Sequence, residues 1–330
     1  MKVLVTGGSG YIGSHCAREL ARRGHQVVIY DDLSTGHEFL SRGFELIKAG
    51  VGDAAALQRA LRGVDAIMHF AAKSLVGESV QNPRKYFENN DRDGLVLLNT
   101  ALDNGVRKFI FSSTAAVYGV PERSPITEDM PKAPINPYGS SKLAFEYMLQ
   151  GYSAAYGLKS VALRYFNAAG CDESGELGEI HDPETHLIPN ALAAVAGRKP
   201  HLDLYGDDYP TPDGTCVRDY IDVRDLATAH ALALEYLDGG GESTQLNLAT
   251  GKGNSVKEVV TAVEKVTGKP LPHRIAPRRP GDPPVLVADP SKAEKLLQWK
   301  AKHGLEDMIA SAWNFLQKHE PSLAGKAHSH

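Results

Sequence analysis

The sequence contains few cysteines, and none in a pattern that suggests a cross-link or a metal site. Only Cys16, Cys171 and Cys216 occur in 330 residues, widely spaced and odd in number, which indicates free thiols in a reducing compartment. The chain also lacks an apolar run of membrane-spanning length, and it does not open with a charged stretch followed by a long apolar one. These absences lead us to expect a cytoplasmic protein.

A strong excess of one charge is also missing. The formal net charge is -4, from 36 Lys and Arg against 40 Asp and Glu, which gives no electrostatic basis for binding nucleic acid or an anionic membrane. The sequence shows no internal repeat, low-complexity tract or heptad pattern. What remains is an ordinary globular composition, in a chain long enough for one large α/β domain or two smaller ones.

A glycine-rich turn stands between the first predicted strand and the first predicted helix. The strand covers residues 2–6, glycines follow at Gly7, Gly10 and Gly13, and a helical pattern continues to Arg22. Glycine allows a tight turn and a close approach of the backbone to a pyrophosphate, whose charge meets the free amide groups of the helix start. The pattern therefore predicts a dinucleotide-binding loop.

The second predicted strand, residues 26–30, ends at two acids, Asp31 and Asp32. In a Rossmann unit an acid at this point accepts hydrogen bonds from the adenosine ribose hydroxyls and repels a 2′-phosphate. The sequence therefore predicts NAD rather than NADP.

Hydroxyl side chains end a later strand, and a tyrosine and a lysine follow on one helix. The apolar run at 108–112 leads into Ser113 and Thr114, and ligands of a parallel sheet bind at the carboxyl ends of its strands. Tyr138 and Lys142 are four residues apart, which places both on one helical face. Because a nearby cation favours the phenolate form of tyrosine, the pattern predicts a proton-transfer site in which the Thr114 hydroxyl takes part.

Strands and helices alternate through Ala162, which is typical of βαβ units in a parallel sheet. Further strands are predicted at 44–49 and 65–70, and helices at 54–62 and 86–104. After residue 170 the pattern changes to short elements broken by Pro and Gly. We predict an α/β protein: a Rossmann-type, doubly wound parallel sheet in residues 1–170 with returning segments at about 215–249, and a smaller, mixed α/β substrate lobe in 171–214 and 250–330.

These motifs resemble the extended short-chain dehydrogenase/reductases, and most closely those members that epimerise UDP-sugars. The most distinctive stretches are residues 8–15, 76–80, 164–167 and 276–282. The resemblance implies a tightly held NAD that is recycled within the enzyme. It also implies 4-epimerisation of a UDP-hexose, UDP-glucose or UDP-galactose, through a transient 4-keto sugar, as in galactose metabolism.

The resemblance assigns roles to individual residues. Tyr138 removes the proton of the sugar O4, Lys142 contacts the nicotinamide ribose and lowers the tyrosine pKa, and Thr114 shares the proton. Cofactor contacts carry over to Gly7, Gly10, Tyr11, Ile12, Gly13, Asp31, Asp32, Leu33, Ser34, Thr35, Gly36, Asp53, Ala54, Phe70, Ala71, Ala72, Asn89, Thr114, Tyr138, Lys142, Tyr165 and Phe166. Substrate contacts carry over to Thr114, Tyr138, Asn167, His186, Leu187, Asp203, Leu204, Tyr205, Arg218, Arg279, Asp282 and Leu286. Arg218 and Arg279 suit a diphosphate, because a guanidinium donates a fork of hydrogen bonds.

Other activities on the same scaffold stay open. A UDP-pentose or uronate 4-epimerase differs only in the sugar pocket. A dehydratase needs a further acid and base, and related dehydratases place an Asp-Glu pair where this chain has Ala115 and Ala116. A non-catalytic NAD-sensing protein is disfavoured because both Tyr138 and Lys142 are present.

Three further expectations concern ligands and assembly. Leu286 stands where some members carry tyrosine, and a smaller side chain leaves room for N-acetylhexosamines. The segment His181–His186 carries two histidines, but a proline interrupts their spacing and the hydride chemistry needs no metal, so we expect no metal site. The resemblance implies a homodimer, with residues 86–104 and 142–156 as its seam. The role of Lys73 stays open.

Overall fold

Strands and helices alternate along most of the chain in a computed structural model that describes residues 1–279 and 281–324. The strands are, in chain order, β1 (Lys2–Thr6), β2 (Gln26–Asp31), β3 (Glu45–Lys48), β4 (Ala66–His69), β5 (Lys108–Thr114), β6 (Lys159–Tyr165), β7 (Asn167–Ala169), β8 (Leu202–Tyr205), β9 (Val217–Asp222), β10 (Thr244–Leu248), β11 (Gly253–Ser255), β12 (His273–Ala276) and β13 (Val285–Leu286). The helices are α1 (Tyr11–Arg22), α2 (Ala54–Ala60), α3 (Val76–Gln81), α4 (Pro83–Tyr86), α5 (Asp93–Asp103), α6 (Pro137–Tyr156), α7 (Leu187–Val195), α8 (Val223–Asp238), α9 (Val256–Thr267), α10 (Ser291–Leu297) and α11 (Leu305–Ala324). Short 3-10 helices span Glu38–Ser41 and Ala115–Tyr118, and a π-helix spans Phe87–Arg92.

Seven strands form one parallel sheet in the order β10-β6-β5-β4-β1-β2-β3. The chain starts in the middle with β1, adds β2 and β3 on one side, and then adds β4, β5, β6 and β10 on the other. The direction of winding therefore reverses between β1 and β4. This is the doubly wound, Rossmann-type arrangement, in which ligands bind outside the carboxyl ends of the strands at the reversal. The predicted fold class is confirmed.

The sheet is buried deeply enough to hold its strand ends in place. Leu4 and Val5 of β1 have 0% exposed surface, as expected when helices cover both faces of a parallel sheet. On one face the rings of Phe109 and Phe111 in β5 belong to the same core cluster as Phe145 in α6. The Phe111 and Phe145 ring centroids are 4.5 Å apart. This packing positions the end of β5, where the predicted hydroxyl cluster lies.

Helix α6 begins just before the predicted tyrosine, and its start has a clear local cause. The Asn136 side chain accepts a hydrogen bond from the Gly139 amide at 2.8 Å, and Pro137 occupies the first helical position. Such a cap satisfies an amide that has no partner within the helix, and proline suits that position. The helix ends at Gly157, which has φ of 70°. Tyr138 and Lys142 share this helix as expected.

The helix predicted at 86–104 is present within a continuous helical run from Pro83 to Asp103, but a π-helix between α4 and α5 was not predicted. Within the π-helix the Asn90 side chain accepts a hydrogen bond from the Lys73 amide at 2.8 Å. Its amide group donates to the Lys73 carbonyl and to the Ser141 hydroxyl. π-Helical turns are often found at functional sites. These bonds join residues far apart in the chain, and an apolar periodicity does not reveal them.

The chain divides into two compact units. The first comprises Met1–Tyr165, Leu226–Leu248 and Asp289–Lys300, and the second comprises Phe166–Asp225, Ala249–Ala288 and the described residues from Ala301 on. The predicted boundaries are therefore wrong at three places. Residues 166–170 and 215–225 lie in the second unit, and residues 289–300 lie in the first.

The misplaced strand is β9, which does not join the seven-stranded sheet. It pairs with β11, β13 and β7 instead. A buried strand followed by a helix has the same sequence pattern in either sheet, so only the pairing decides its unit. At the other boundary, the Asp289 amide donates a 2.9 Å hydrogen bond to the Ile126 carbonyl. This bond ties the segment before α10 to the first unit.

The described part of the second unit is a mixed α/β structure. Strand β9 pairs parallel with β7 and β13 and antiparallel with β11, and β8 pairs parallel with β12. Helices α7, α9 and α11 contribute Leu192, Val259 and Ile309 to its core, together with Leu204 from β8. In neither unit is a described helix long and apolar enough to cross a membrane.

We predict that Gly13→Ala destabilises the protein, whereas Gly151→Ala does not. A Cβ at Gly13 would lie 2.2 Å from the Gly7 carbonyl oxygen, and overpacking of this kind costs about 1–3 kcal/mol. Gly151 is also helical but faces open space, so alanine there should stabilise α6 by about 0.5–1 kcal/mol. Thermal unfolding of both variants measures the difference. Equal melting temperatures would contradict the prediction.

Candidate active site

The glycine-rich turn brings the ends of β1 and β4 into close contact. Gly7 has φ of 71°, and a Cβ there would lie 2.6 Å from the Ala71 amide nitrogen and 2.8 Å from the Phe70 carbonyl carbon. Only glycine fits such a turn without strain. Gly10 directly precedes α1 as its N-cap, and the first amide groups of a helix have no acceptor within the helix. The turn therefore presents backbone donors beside Phe70 and Ala71, as a pyrophosphate site requires.

Asp31 is held at the end of β2 by two backbone amides. Its carboxylate accepts hydrogen bonds from Ser9 at 2.9 Å and from Leu33 at 2.8 Å. Burial raises the pKa of Asp31, while those amide bonds and the charge of Lys73 act in the opposite direction. A Cβ at Gly36 would lie 2.9 Å from the same carboxylate. The structure thus brings the glycine turn and the loop from Asp31 to Gly36 together.

The other predicted cofactor residues of the first unit lie around this group. Lys73 donates a hydrogen bond to the Ser34 hydroxyl at 2.9 Å, and its amide donates to the Asn89 side chain at 3.2 Å. Asp53 caps α2 by accepting from the Ala56 amide at 2.9 Å. The remaining positions are exposed (Asp32, Thr35 and Ala54), half-buried (Ile12 and Ala72) or buried (Tyr11 and Gly13). The contact with Ser34 gives Lys73 a place beside the predicted ribose loop.

The three predicted catalytic residues come together at the carboxyl end of β5. The Thr114 hydroxyl lies near enough to the Tyr138 phenol to lower its pKa, and it accepts a hydrogen bond from the Ala116 amide at 3.1 Å. Lys142 donates to the Ser112 carbonyl at 2.8 Å, and its nitrogen lies 6.0 Å from the Tyr138 ring centroid. A phenol, a hydroxyl and an ammonium group are therefore within reach of one reacting oxygen.

The predicted lowering of the Tyr138 pKa by Lys142 is not what the structure shows. Burial raises the pKa of Tyr138, and only the nearby Thr114 hydroxyl opposes that rise. Lys142 is itself desolvated, which lowers its pKa to about 7, although the charges of Asp91 and Glu146 act against this. Its ammonium group is directed to the Ser112 carbonyl. In this arrangement, loss of solvation outweighs the attraction of a neighbouring cation.

Sequence reasoning missed Asp91, which lies in the π-helix and interacts electrostatically with Lys142. Its side chain is buried, and neither carboxylate oxygen has a hydrogen-bond partner within the described residues. Burial raises the pKa of Asp91 to about 7, with Lys142 acting in the opposite direction. The only signal in the sequence was an acid beside two asparagines in a helical stretch, which ordinarily indicates a solvated face.

A second missed group is a buried ion pair below the same strand end. Arg164 donates to Glu146 through Nε at 2.9 Å, and also donates to the Tyr118 hydroxyl at 2.9 Å. Glu146 accepts from the Ser113 hydroxyl at 2.6 Å, and Tyr118 donates to the Asn247 side chain at 2.7 Å. These bonds tie α6 to β5, β6 and β10. They hold in place the helix that carries Tyr138 and Lys142.

Tyr165 and Phe166 fall on either side of the boundary between the units. Tyr165 is paired in register with Thr114 across β5 and β6, and its phenol forms a hydrogen bond with the Ser112 hydroxyl. Phe166 opens the second unit. Tyr165 therefore belongs to the strand end that carries Thr114.

Five predicted substrate residues lie together in the second unit. Arg218 forms an ion pair with Asp282 and stands opposite Leu286 in the register of β9 and β13. The Arg279 guanidinium carbon lies 4.1 Å from the Tyr205 ring centroid, and the Asp282 amide donates to the Arg279 carbonyl at 3.3 Å. Two arginines and an aromatic ring in one place suit a nucleotide diphosphate.

The other predicted substrate residues of this unit are on neighbouring elements. Asn167 pairs with Tyr220 across β7 and β9. Asp203 and Leu204 are in β8, where the Asp203 carboxylate accepts from Arg274 at 2.6 Å. His186 precedes α7, whose first residue is Leu187. Glu179 and Glu184 lie beside the His186 imidazole and raise its pKa to about 10, against the effect of burial.

A family model described as the NAD dependent epimerase/dehydratase family matches residues 3–249. The chain belongs to this family. The match covers the glycine turn, the Tyr138 and Lys142 pair, and strand β9. The family expected from the motifs and the dependence on NAD are thereby confirmed.

Individual epimerases of this family resemble the chain over nearly its whole length. The UDP-glucose 4-epimerase of Halalkalibacterium halodurans is 48% identical over 322 residues, which cover 97% of this chain and 96% of that one. The structure of UDP-glucose 4-epimerase from Brucella ovis in complex with NAD is 49% identical with a TM-score of 0.93, covering 95% of this chain and 98% of that one. The Bifidobacterium longum enzyme in complex with NAD+ and UDP is 42% identical with a TM-score of 0.91, covering 97% and 99%.

We predict that Asp91→Asn makes this epimerase/dehydratase family member more stable at alkaline pH and not at acid pH. The pKa of Asp91 is about 7 in the folded protein and about 3.9 in an unfolded chain. The folded state thus binds the proton more tightly, and the wild type loses stability as pH rises between these values. Asparagine does not titrate and resembles the protonated acid.

Thermal unfolding from about pH 4 to pH 8 measures this difference. The melting temperature of Asp91→Asn should exceed that of the wild type at the upper end and converge with it at the lower end. Asp103→Asn removes an exposed carboxylate from α5, and we expect no pH-dependent difference from it. A constant offset for Asp91→Asn across the range would contradict the prediction.

Proposed function

We propose that this protein catalyses the NAD-dependent 4-epimerisation of UDP-glucose and UDP-galactose. The observation that carries the proposal is the arrangement of Thr114, Tyr138 and Lys142 at the carboxyl end of β5. Support also comes from the full-length similarity to UDP-glucose 4-epimerases. The glycine turn fits the cofactor, because the Gly7 and Gly13 positions leave no space for a side chain.

The chemistry divides between the cofactor and the protein. When bound, NAD supplies the acceptor and donor of hydride for C4 of the sugar. Tyr138 takes the O4 proton as the 4-keto sugar forms and returns it after the sugar has turned over. Thr114, whose hydroxyl lies near the phenol, would hold the reacting oxygen in register. Lys142 contributes its charge beside Tyr138, since its nitrogen lies 6.0 Å from the phenol ring centroid.

The substrate nucleotide is held by the second unit. Arg218 and Arg279 donate hydrogen bonds to the diphosphate, and Tyr205 and Asp282 keep the two guanidinium groups in place through ring stacking and an ion pair. Arginine keeps its charge at all physiological pH values. Binding through the nucleotide leaves the sugar free to turn about its diphosphate link, as 4-epimerisation requires.

A dehydratase is the main alternative within this family. Ala115 and Ala116 follow Thr114 directly and begin a 3-10 helix. An alanine cannot move a proton, so neither residue can supply the additional acid and base that elimination needs. We therefore favour return of the keto sugar to a hexose.

We predict that Tyr138→Phe lowers kcat by about 10²- to 10⁴-fold, the usual contribution of a positioned proton-transfer group. Tyr147→Phe is the matched control, because Tyr147 lies on the same helix with 57% of its surface exposed. The assay follows conversion of UDP-galactose to UDP-glucose by chromatography, with no added cofactor. NAD released on denaturation is quantified in the same samples.

The wild type should form UDP-glucose without net NADH, and Tyr138→Phe should retain its NAD. A 4-keto-6-deoxy product from the wild type would instead indicate a dehydratase. Full activity of Tyr138→Phe would overturn the catalytic role of the phenol.

The substrate range depends on Leu286, which we propose leaves room for a 2-acetamido group. We predict that the wild type also converts UDP-N-acetylgalactosamine. Leu286→Tyr should lower the ratio of this activity to that on UDP-galactose by about 10-fold or more, the range for steric discrimination in a pocket. Competition between the two substrates in one reaction measures the ratio. An unchanged ratio would contradict the proposal that Leu286 lines the sugar pocket.

We further propose that the protein is a homodimer. The predicted seam at 86–104 and 142–156 carries exposed apolar side chains, among them Phe87 at 42% and Tyr147 at 57%. Light scattering should give the mass of a dimer, and Tyr147→Glu should shift it toward the monomer. Val120→Glu changes an exposed apolar residue outside the seam and should leave the mass unaltered. A monomeric wild type would overturn the proposal.

A further inference from the structure

Four metal-binding side chains converge in the segment that leads into α7. They are Glu179, His181, Glu184 and His186, and one donor atom from each lies within 4.8 Å of all the others. Sequence reasoning rejected a metal here because Pro183 interrupts the spacing of the histidines. In the folded chain, Glu179 and Glu184 lie beside the two histidines despite that proline. The result is a set of two imidazole nitrogens and two carboxylate oxygens.

The distances between these atoms match the edges of a coordination sphere. Glu179 Oε1 lies 3.1 Å from His181 Nδ1 and 2.8 Å from His186 Nδ1. Glu184 Oε2 lies 3.5 Å from the first imidazole nitrogen, and Glu184 Oε1 lies 3.0 Å from the second. Ligands about 2.0–2.2 Å from a tetrahedral zinc ion stand roughly 3.3–3.6 Å apart. Little movement is therefore needed to admit a cation among them.

The carboxylates are half-buried and held in place before any cation binds. The Glu179 side chain is 6% exposed and that of Glu184 is 17% exposed. Glu184 Oε1 also accepts hydrogen bonds from the Thr185 and His186 amides, each at 2.8 Å. Hydrogen bonds of this kind orient the ligands of metal sites and strengthen binding. Ligands that are already in place lose little conformational freedom on binding.

The donor set indicates the kind of cation. It contains imidazole and carboxylate but no thiolate, which suits a divalent first-row transition metal better than a soft cation. Four protein ligands close a tetrahedral site, as in structural zinc centres. Two carboxylates balance the double charge of the ion.

We propose that Glu179, His181, Glu184 and His186 form a structural site for a divalent transition metal, with Zn²⁺ as its probe. The metal fixes the segment between Glu179 and α7. It is distinct from the hydride chemistry of the proposed epimerase reaction.

The test compares the full-length wild type with the double variant Glu179→Gln/His181→Gln. After chelation and dialysis, isothermal titration with Zn²⁺ should show one more equivalent bound by the wild type than by the variant. His328 and His330 lie outside the described residues and are present in both proteins, so any binding by them cancels in the comparison.

Two further measurements keep the result decisive. Zn²⁺ should raise the melting temperature of the wild type, and Co²⁺ should give it the intense visible absorption of a four-coordinate ion. His273→Gln removes a histidine outside the cluster and should bind as the wild type does. Equal Zn²⁺ stoichiometry in wild type and double variant, or no thermal shift of the wild type, would mean an ion-pair cluster only. None of these readouts depends on epimerase activity, so the proposed function can fail without affecting them.

Discussion

The approach of the Thr114 hydroxyl to the Tyr138 phenol is the constraint around which the candidate active site is arranged. It joins the end of a buried strand to the start of a helix 24 positions later in the chain. The strand end is held by aromatic packing behind it, and the helix start is held by the Asn136 cap. A Cβ at Gly139 would lie 2.6 Å from the Ala116 carbonyl oxygen. That close approach allows the phenol and the hydroxyl to meet.

The buried charges around this contact are of two kinds. Arg164 and Glu146 are fully paired and bonded to neighbouring hydroxyls, and such a network rigidifies the site. Lys142 and Asp91 are only partly compensated, and burial moves the pKa of each toward neutrality. Buried groups with shifted pKa values beside a rigid network are typical of sites that transfer protons. The Arg164–Glu146 network holds in place the helix α6, which carries Lys142.

The second unit also fixes its cations by pairing, at positions that range from the buried Arg218 to the exposed Arg279. Arg218 and Arg279 are oriented by Asp282 and Tyr205, so their guanidinium groups are preorganised for an anion. The histidines before α7 are held by glutamates in the same way. In both places acidic side chains fix the direction of basic ones. Preorganisation of this kind lowers the entropy lost when a ligand binds.

Whether a feature can be predicted from the sequence depends on how far apart in the chain the interacting residues lie. The glycine turn, the acid after β2 and the Tyr138–Lys142 pair are set by spacings of a few residues, and local geometry makes such spacings readable. The doubly wound sheet also follows, because alternating strands and helices allow few other arrangements. The π-helix within the helix predicted at 86–104 does not follow, since the bonds of Asn90 reach residues distant in the chain.

The sequence by itself therefore determined the fold class, the family and the chemistry of the residues at the strand ends. Only the tertiary structure decided that β9 belongs to the second sheet, that Asp91 is buried beside Lys142, and that two glutamates meet two histidines before α7. The physical reason is the same in each case. Strand pairing and the burial of charge depend on which distant segments come into contact, and a local sequence pattern does not reveal those contacts.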